Sequence, residues 1–231
     1  MIKLILTGLV AVAIAMSLTS CTPQKKMAQQ YPEMYNEKPL TIALMPPINQ
    51  TSNVEAKESF YSTLYAPLCE NGYYIFPPFL TMEMMQEEGA YDAEQFLDAD
   101  LTAFRNVMGA DAVLFTVIKQ WKKNVFFGCM DLDIEFILRS TKTGETIFYR
   151  EGDVSVNTQM GVPLPGLAGI VGTMVASSIN TTAKEIVYAG RKCTRYMLNV
   201  GCMPMGKYNT YWYDVDKDLY AERPIYIGEI K

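Results

Sequence analysis

The sequence lacks histidine entirely, although it is 231 residues long. Histidine is the base of Ser-His-Asp and Cys-His catalysis and the commonest metal ligand, so those catalytic classes are excluded. The cysteines that follow Cys21 include no CxxC pair of the kind that binds zinc; they are Cys69, Cys129, Cys193 and Cys202. We therefore expect no metal site, no cofactor and no catalytic residue.

The sequence also lacks a basic patch of the kind that nucleic-acid binding needs. The chain has 20 Lys and Arg against 25 Asp and Glu, for a net charge of -5. Nucleic-acid binding requires clustered positive charge, so we expect no nucleic-acid partner. About half of the residues are hydrophobic (49%), which is enough for one domain with a sizeable core.

The first apolar run, residues 4–16, is shorter than the ~20 residues that span a bilayer. It follows Lys3 and precedes small residues, as in a secretory signal peptide covering residues 1–20. The sequence Leu18-Thr19-Ser20-Cys21 resembles a bacterial lipobox. We expect Cys21 to carry the lipid anchor, with fatty acyl chains such as palmitate; the alternative is an ordinary signal peptide with a chance cysteine.

Residues 21–38 are polar, contain two prolines and are predicted to form a lipidated tether. Fully extended, residues 22–38 would reach about 60 Å. Thr22 follows the cysteine where an aspartate would favour the inner membrane. We therefore expect an outer-membrane protein that faces the periplasm, with cell-surface exposure as the alternative. Export also permits a disulfide: Cys193 with Cys202 is one interpretation, and two buried unpaired thiols is the other.

Residues 39–200 predict an α/β domain with a mixed sheet and helices packed on it, in the order β-α-β-α-α-β-β-β-α. Ser52 and Glu55 have capping-box spacing ahead of a helix that ends near Glu70, and Gly72 suits a left-handed cap. The other predicted elements are strands at 40–45, 73–76, 110–121, 125–139 and 145–156 and helices at 81–88, 100–108 and 165–200. Tight turns are expected at 122–124 and 141–144, and Leu101, Phe104 and Val107 are expected to face inward.

Asp131, Asp133 and Glu135 alternate with apolar residues along one predicted strand. They lie about 7 Å apart per step on one face, which invites a metal or catalytic interpretation. Calcium sites usually gather ligands from curved loops, so a solvated strand face is the favoured interpretation.

Two stretches predict contact surfaces. Ala168, Gly172 and Ala176 recur at i, i+4 and i+8 in the last predicted helix and form a small-residue stripe that suits close packing on the sheet or on a second subunit. Membrane insertion is the alternative for this stretch. Residues 201–231 form an aromatic C-terminal tail, which either wraps the domain or offers Tyr208, Tyr211, Trp212 and Tyr213 as an interface.

The chain resembles a family of bacterial surface lipoproteins known from a neisserial vaccine candidate. That family has a Leu-Pro-Pro-x-Asn-x-Ser loop after its first strand and a Gly-Tyr-Tyr-x-Phe-Pro second strand, and this sequence has similar residues at 45–51 and 72–77. The likeness continues through most of residues 40–200; its further motifs are at 108–112, 141–146, 176–180 and 206–209.

The resemblance implies a domain like the N-terminal domain of TolB and like CsgG, a homodimer, and a setting beside a CsgG-like lipoprotein. It implies no activity. Three hypotheses follow: a non-enzymatic accessory or assembly component of an envelope transport or secretion complex, a lipoprotein module that activates a cell-wall synthase, and a carboxylate-dependent hydrolase. We favour the first, because an open strand face is a poor place for an acid pair.

Overall fold

The computed structural model describes residues 24–87, 89–124, 126, 128–157, 183–199, 201–222 and 228–230. Its described strands form one mixed seven-stranded sheet. They are β1 (Thr41–Leu44), β2 (Ile48–Asn49), β3 (Tyr74–Ile75), β4 (Ala112–Asn124), β5 (Cys129–Ser140), β6 (Thr146–Asn157) and β7 (Gly228–Ile230).

Helices pack on both faces of this sheet. The α-helices are α1 (Met27–Gln30), α2 (Pro32–Glu37), α3 (Ala56–Glu70), α4 (Pro78–Glu87), α5 (Ala183–Met197) and α6 (Tyr213–Asp216). A 3-10 helix covers Ala93–Phe96 and a π-helix covers Phe104–Met108.

The sheet has the strand order β3-β1-β4-β5-β6-β7, and β2 also pairs with β4. The pairs β1–β3, β1–β4, β2–β4 and β6–β7 are parallel, whereas β4–β5 and β5–β6 are antiparallel. The predicted α/β class and its succession of nine elements are confirmed. The structure adds β2, β7, the N-terminal helices and α6.

Alternation along the strands divides the core into two layers. Ile42 and Leu44 of β1 face the layer that contains Phe60 of α3, whereas Ala43 and Met45 face the opposite layer. In β5, the alternating Leu132, Ile134, Phe136 and Leu138 are all fully buried. The period-2 pattern of an antiparallel strand with one core face is therefore confirmed.

Three local predictions are wrong. β4 continues through the predicted turn at 122–124, because Lys122 pairs with Asp131 across the ladder and opposite charges stabilise such a pair. Val107 is 74% exposed, because the π-helix has wider turns and i+3 spacing does not return to its inner face. The Ser52–Glu55 capping box is absent at the start of α3; the Glu55 N–H instead donates to Asn53 Oδ1 at 2.9 Å.

The prediction that residues 21–38 are a tether is also wrong for 27–37, which form α1 and α2. Met27 and Met34 are fully buried, and the Tyr31 ring packs on Phe148 at a centroid distance of 4.9 Å. Met27 belongs to α1 and Met34 to α2, and Tyr31 joins the two helices, so the three apolar residues are buried from a chain that bends between them. Their burial outweighs the polar composition of the rest of the segment.

Candidate interaction surface

The C-terminal segment, residues 201–222, is held against the domain by a very close backbone approach. A Cβ added to Gly72 would lie 2.3 Å from the Asn209 nitrogen and 2.8 Å from the Gly206 oxygen. Tyr208 N–H donates to the Gly72 carbonyl at 3.1 Å. The segment therefore packs directly on the turn that precedes β3 rather than extending away from the domain.

A buried carboxylate organises the middle of this segment. Asp216 is fully buried and accepts hydrogen bonds from Met205 N–H and the Tyr35 hydroxyl, both at 2.7 Å. Burial raises the pKa of Asp216, and the two hydrogen bonds oppose that rise. Tyr213 O–H donates to the Pro39 carbonyl at 3.2 Å, so the segment is fastened to the residues just before β1.

The end of the same segment is joined to the first described residues of the chain. Three backbone hydrogen bonds make the connection: Met27 N–H to the Leu219 oxygen (2.8 Å), Ala28 N–H to the Lys217 oxygen (3.2 Å) and Ala221 N–H to the Lys25 oxygen (2.8 Å). Lys26 and Tyr220 form an antiparallel bridge. Residues 25–28 and 217–221 thus form one structural unit.

The predicted aromatic cluster is divided by the fold. Tyr208 and Tyr211 are 69% and 52% exposed, so both are available for contact. Trp212 is half-buried against the core, and Tyr213 is buried within it. The segment therefore wraps the domain, as one interpretation predicted, whereas an interface at Tyr208, Tyr211 and Trp212 stays a prediction.

An exposed aromatic group at β3 was not predicted. Tyr74 is 53% exposed and makes an edge-to-face contact with Phe76 at a centroid distance of 5.4 Å. Tyr65 of α3 is 42% exposed. Its pKa is raised by Cys69 first, then by burial and then by Tyr74, which places Tyr65 within electrostatic reach of Tyr74. We call Tyr65, Tyr74 and Phe76 the edge patch, because β3 ends the order of the described strands. The sequence contains no local signal for it, because residues 73–76 (YYIF) are all aromatic or aliphatic and show no alternation of apolar and polar residues.

The acidic residues of β5 lie on the face that the sequence predicted and interact with neighbouring strands. Lys119 contacts Glu135 at 3.1 Å and Glu151 at 2.6 Å. Burial, followed by the charge of Glu151, raises the pKa of Asp133. Within the part of the chain that the structure describes, no group of His, Cys, Asp or Glu side chains is arranged to hold a metal ion.

Cys193 and Cys202 are separate, fully buried thiols rather than a disulfide. Burial raises the pKa of each thiol to about 12. Both are therefore protonated at neutral pH and have little nucleophilic character. Of the two interpretations that the sequence allowed, the structure shows the buried-thiol one.

Two shallow pockets are lined by arginines that already serve the fold. In a pocket of about 420 Å³, Arg139 donates to the Gly144 carbonyl at 3.0 and 2.8 Å and also to the Leu97 carbonyl. In a pocket of about 390 Å³, Arg195 donates to both carboxylate oxygens of Glu70, at 3.0 and 2.6 Å. Both guanidinium groups therefore hold loops or helices together.

The anchor Cys21 and the stripe residues Ala168, Gly172 and Ala176 lie outside the described residues, so those assignments stay predictions. Among the helices in the described ranges, none combines the length and the apolar character that crossing a bilayer requires.

The fold is a mixed α/β domain with helices packed on its sheet. Residues 29–202 match the family described as "Putative lipoprotein GNA1162-like". The match covers well over half of the sequence, so the chain belongs to that family. The resemblance found in residues 40–200 is confirmed. Membership places the protein among membrane-anchored lipoproteins of the cell envelope.

Several known proteins are similar to this chain at low sequence identity. Lipoprotein NMB1124/NMB1162 of Neisseria meningitidis serogroup B is 23% identical over 200 residues, which cover 84% of this chain and 87% of the relative. The crystal structure of lipoprotein GNA1162 from Neisseria meningitidis is 20% identical, with a TM-score of 0.46, and the match covers 62% of this chain and all of that one (100%).

More distant structures include the LpoB C-terminal domain from Escherichia coli, with 18% identity and a TM-score of 0.38, covering 54% of this chain and 95% of that one. A PelC dodecamer from Paraburkholderia phytofirmans has 14% identity and a TM-score of 0.37, covering 74% of this chain and 91% of that one. These values say nothing about what the present chain binds.

Proposed function

We propose that this chain is a non-enzymatic lipoprotein that is anchored through Cys21 in the outer membrane, faces the periplasm and serves as an accessory component of an envelope transport or secretion complex. The observation that carries the proposal is the burial of Met27 and Met34 in the domain core. Because Met27 is already part of the core, the folded domain begins only a few residues after the proposed anchor, Cys21.

The distance follows from the covalent chain. Lys26 pairs with Tyr220 in the folded domain, and it is the fifth residue after Cys21. At about 3.3–3.6 Å per residue, the domain lies within about 18 Å of the acylated residue. Thr22 rather than aspartate follows the cysteine, which supports the outer membrane.

A short reach favours partners that are themselves at the membrane. We infer that a CsgG-like lipoprotein is such a partner and that a homodimer forms, with Ala168, Gly172 and Ala176 as the proposed packing stripe. Exposed Tyr208 and Tyr211 and the edge patch provide aromatic side chains of the kind that protein interfaces favour. The alternative, activation of a cell-wall synthase, requires a domain that reaches across the periplasm. We call residues 22–25, which connect Cys21 to the folded domain, the strap; its short length disfavours this alternative.

Several features support a non-enzymatic role. The sequence has no histidine, the cysteine thiols at 193 and 202 are buried, and Glu135 and Glu151 are paired with Lys119. A nucleophile or a general base must be accessible and not already paired. The two thiols are buried and the two carboxylates are ion-paired, so none of the four side chains suits either role.

The test is a crosslinking pull-down of the full-length protein from membranes, read by mass spectrometry, with Cys21→Ala as the matched control. We expect a CsgG-like lipoprotein and its neighbours with the native protein and their loss in the control. Recovery of a cell-wall synthase instead would replace the assembly role by the activator role. An unchanged partner set in the control would refute the role of the anchor.

A further inference from the structure

The residues nearest the proposed anchor include part of the C-terminal segment. Tyr220 is the bridge partner of Lys26, and the Leu219 oxygen accepts the Met27 N–H at 2.8 Å. Paired residues in an antiparallel bridge have Cα atoms about 5 Å apart. Tyr220 is therefore as tightly limited in its distance from Cys21 as Lys26 itself.

The side chains at this place suit the surface of a bilayer. Tyr220 is 61% exposed and Leu219 is 39% exposed. Lys25 and Lys217 are exposed and Lys26 is partly exposed. We call these five residues the anchor-proximal patch. Tyrosine and leucine insert their apolar parts at the headgroup level, while lysines bury their stems and keep the ammonium group in water.

The charge of the patch is complementary to anionic lipid. Its three lysines are accompanied by two exposed acids of the C-terminal segment: Asp218, whose carboxylate lies 2.8 Å from the Lys26 ammonium, and Glu222, which follows Ala221. The patch thus keeps a positive balance within a protein whose overall net charge is -5. A surface that opposes the charge of the whole chain and lies beside the anchor is favoured to meet anionic headgroups.

We propose that the anchor-proximal patch docks on the phospholipid surface beside the lipidated cysteine and thereby fixes which side of the domain faces the membrane. The proposal rests on the anchor at Cys21 that the proposed function requires. With the patch seated, the paired backbone of residues 25–28 and 217–221 faces the bilayer.

Tyr91 provides a matched control position. It is 71% exposed, close to the exposure of Tyr220. It lies beside Met85, which belongs to the core layer opposite to the one that contains Met27. Both are exposed tyrosines, so replacing either by tryptophan adds one indole with little change to the core. The two native tryptophans, Trp121 and Trp212, give the same background in both variants.

The experiment uses full-length lipidated protein in vesicles of phosphatidylethanolamine and phosphatidylglycerol that carry bromine on their acyl chains. Bromine quenches indole only at short range, so the added emission reports insertion. We expect Tyr220→Trp to lose about half of its added emission and Tyr91→Trp less than about a tenth, since an interfacial side chain lies roughly 5–10 Å into the headgroup boundary. Leu219→Trp is a second reporter, for which we expect the same loss as at Tyr220.

The outcomes separate the two proposals. Equal quenching at positions 220 and 91, with the protein still sedimenting with the vesicles, would overturn the docking and leave the anchor intact. A protein that sediments no better than its Cys21→Ser variant would overturn both the anchor and the docking. Strong quenching at 219 and 220 alone, lost on replacing the vesicles by unbrominated ones, supports the proposed orientation.

Discussion

At the scale of single residues, Gly72 shows why a glycine is needed where the chain folds back on itself. Its φ of +88° lies in the left-handed region, and a Cβ would overlap the backbone at Asn209 and Gly206. The positive φ is a requirement of the local turn, and the lack of a Cβ is a requirement of the packing of the C-terminal segment. Any other residue at position 72 therefore causes both backbone strain and a steric clash.

We predict that Gly72→Ala destabilises the protein more than Gly89→Ala does. Gly89 also has a positive φ, +74°, but an added Cβ there meets nothing within 4 Å. The left-handed conformation costs alanine about 1–2 kcal/mol at either position, and the clash at Gly72 adds about 1–3 kcal/mol. Urea unfolding of the two variants measures the difference. Equal losses would show that the segment moves away without cost.

The same residue marks what the sequence can predict. Asn71-Gly72 at the end of an apolar-periodic helix indicates a left-handed cap, and the structure confirms it. The contact of Gly72 with residues 206–209 lies 134 or more positions away in the sequence and has no local signature. Contacts of this kind depend on the whole fold, so no periodicity reveals them.

At the scale of elements, the β5–β6 ladder pairs acidic residues with acidic residues across the two strands. Asp133 is directly opposite Asp153, and Glu135 is opposite Glu151. Lys119 bridges the second pair. The first pair is a cross-strand like-charge pair, which weakens the ladder when both groups are ionised.

We predict that Asp133→Asn stabilises the protein near neutral pH. Burial, and then Glu151, raises the folded-state pKa of Asp133 above 3.8, so the folded protein holds this proton more tightly than the unfolded chain. In the native protein, protonation of Asp133 therefore stabilises the folded state. This contribution to the free energy of unfolding is complete below pH 3.8 and is lost as the pH rises through the folded-state pKa. Asparagine is neutral throughout, so the gain is about 0.2–1 kcal/mol at neutral pH and vanishes in acid.

Asp131→Asn is the control for that prediction. Asp131 Oδ1 accepts the Ser155 hydroxyl at 2.7 Å, and amidation weakens this charge-assisted bond. We therefore expect no gain in stability at any pH. Thermal unfolding across the acid-to-neutral range compares the two variants with the native protein. A gain for Asp133→Asn that persists in acid would refute the assignment to ionisation.

The elements also show where sequence patterns succeed and fail. Long strands with strict alternation, such as β5, were predicted to within a few residues because one face must be buried. The N-terminal helices were missed because Pro32 interrupts a short apolar pattern. The inward orientation of Val107 was wrong because an α-helical spacing was applied to a π-helix. Short and irregular elements take their conformation from tertiary contacts.

At the scale of the whole molecule, the pairing of residues 25–28 with residues 217–221 determines how the domain meets its surroundings. The predicted tether of about 60 Å becomes a strap of about 18 Å once α1 and α2 join the core. An interface on this domain is therefore presented at the membrane, in a limited range of orientations. A long tether would instead let the domain search a large volume.

We predict that lengthening the strap disables the protein without unfolding it. A Gly/Ser insertion of about 30 residues after Pro23 extends the reach by roughly 30 Å in root-mean-square terms. Membrane recovery and the urea midpoint are expected to stay unchanged, because the insertion precedes the first core residue, Met27. Crosslinking to the envelope partner is expected to fall about tenfold or more, since effective concentration decreases with linker length. Pro23→Ser, at native length, controls for the change in composition.

This experiment also decides between the two proposed roles. An activator that must reach a cell-wall synthase would keep or gain crosslinks when the strap is longer, because its domain approaches the target more easily. An assembly component that meets its partner at the membrane loses both the short reach and the orientation that the anchor-proximal patch provides. Undiminished crosslinks to a membrane partner, with the insertion present and the protein folded, would contradict the role assigned to the short strap.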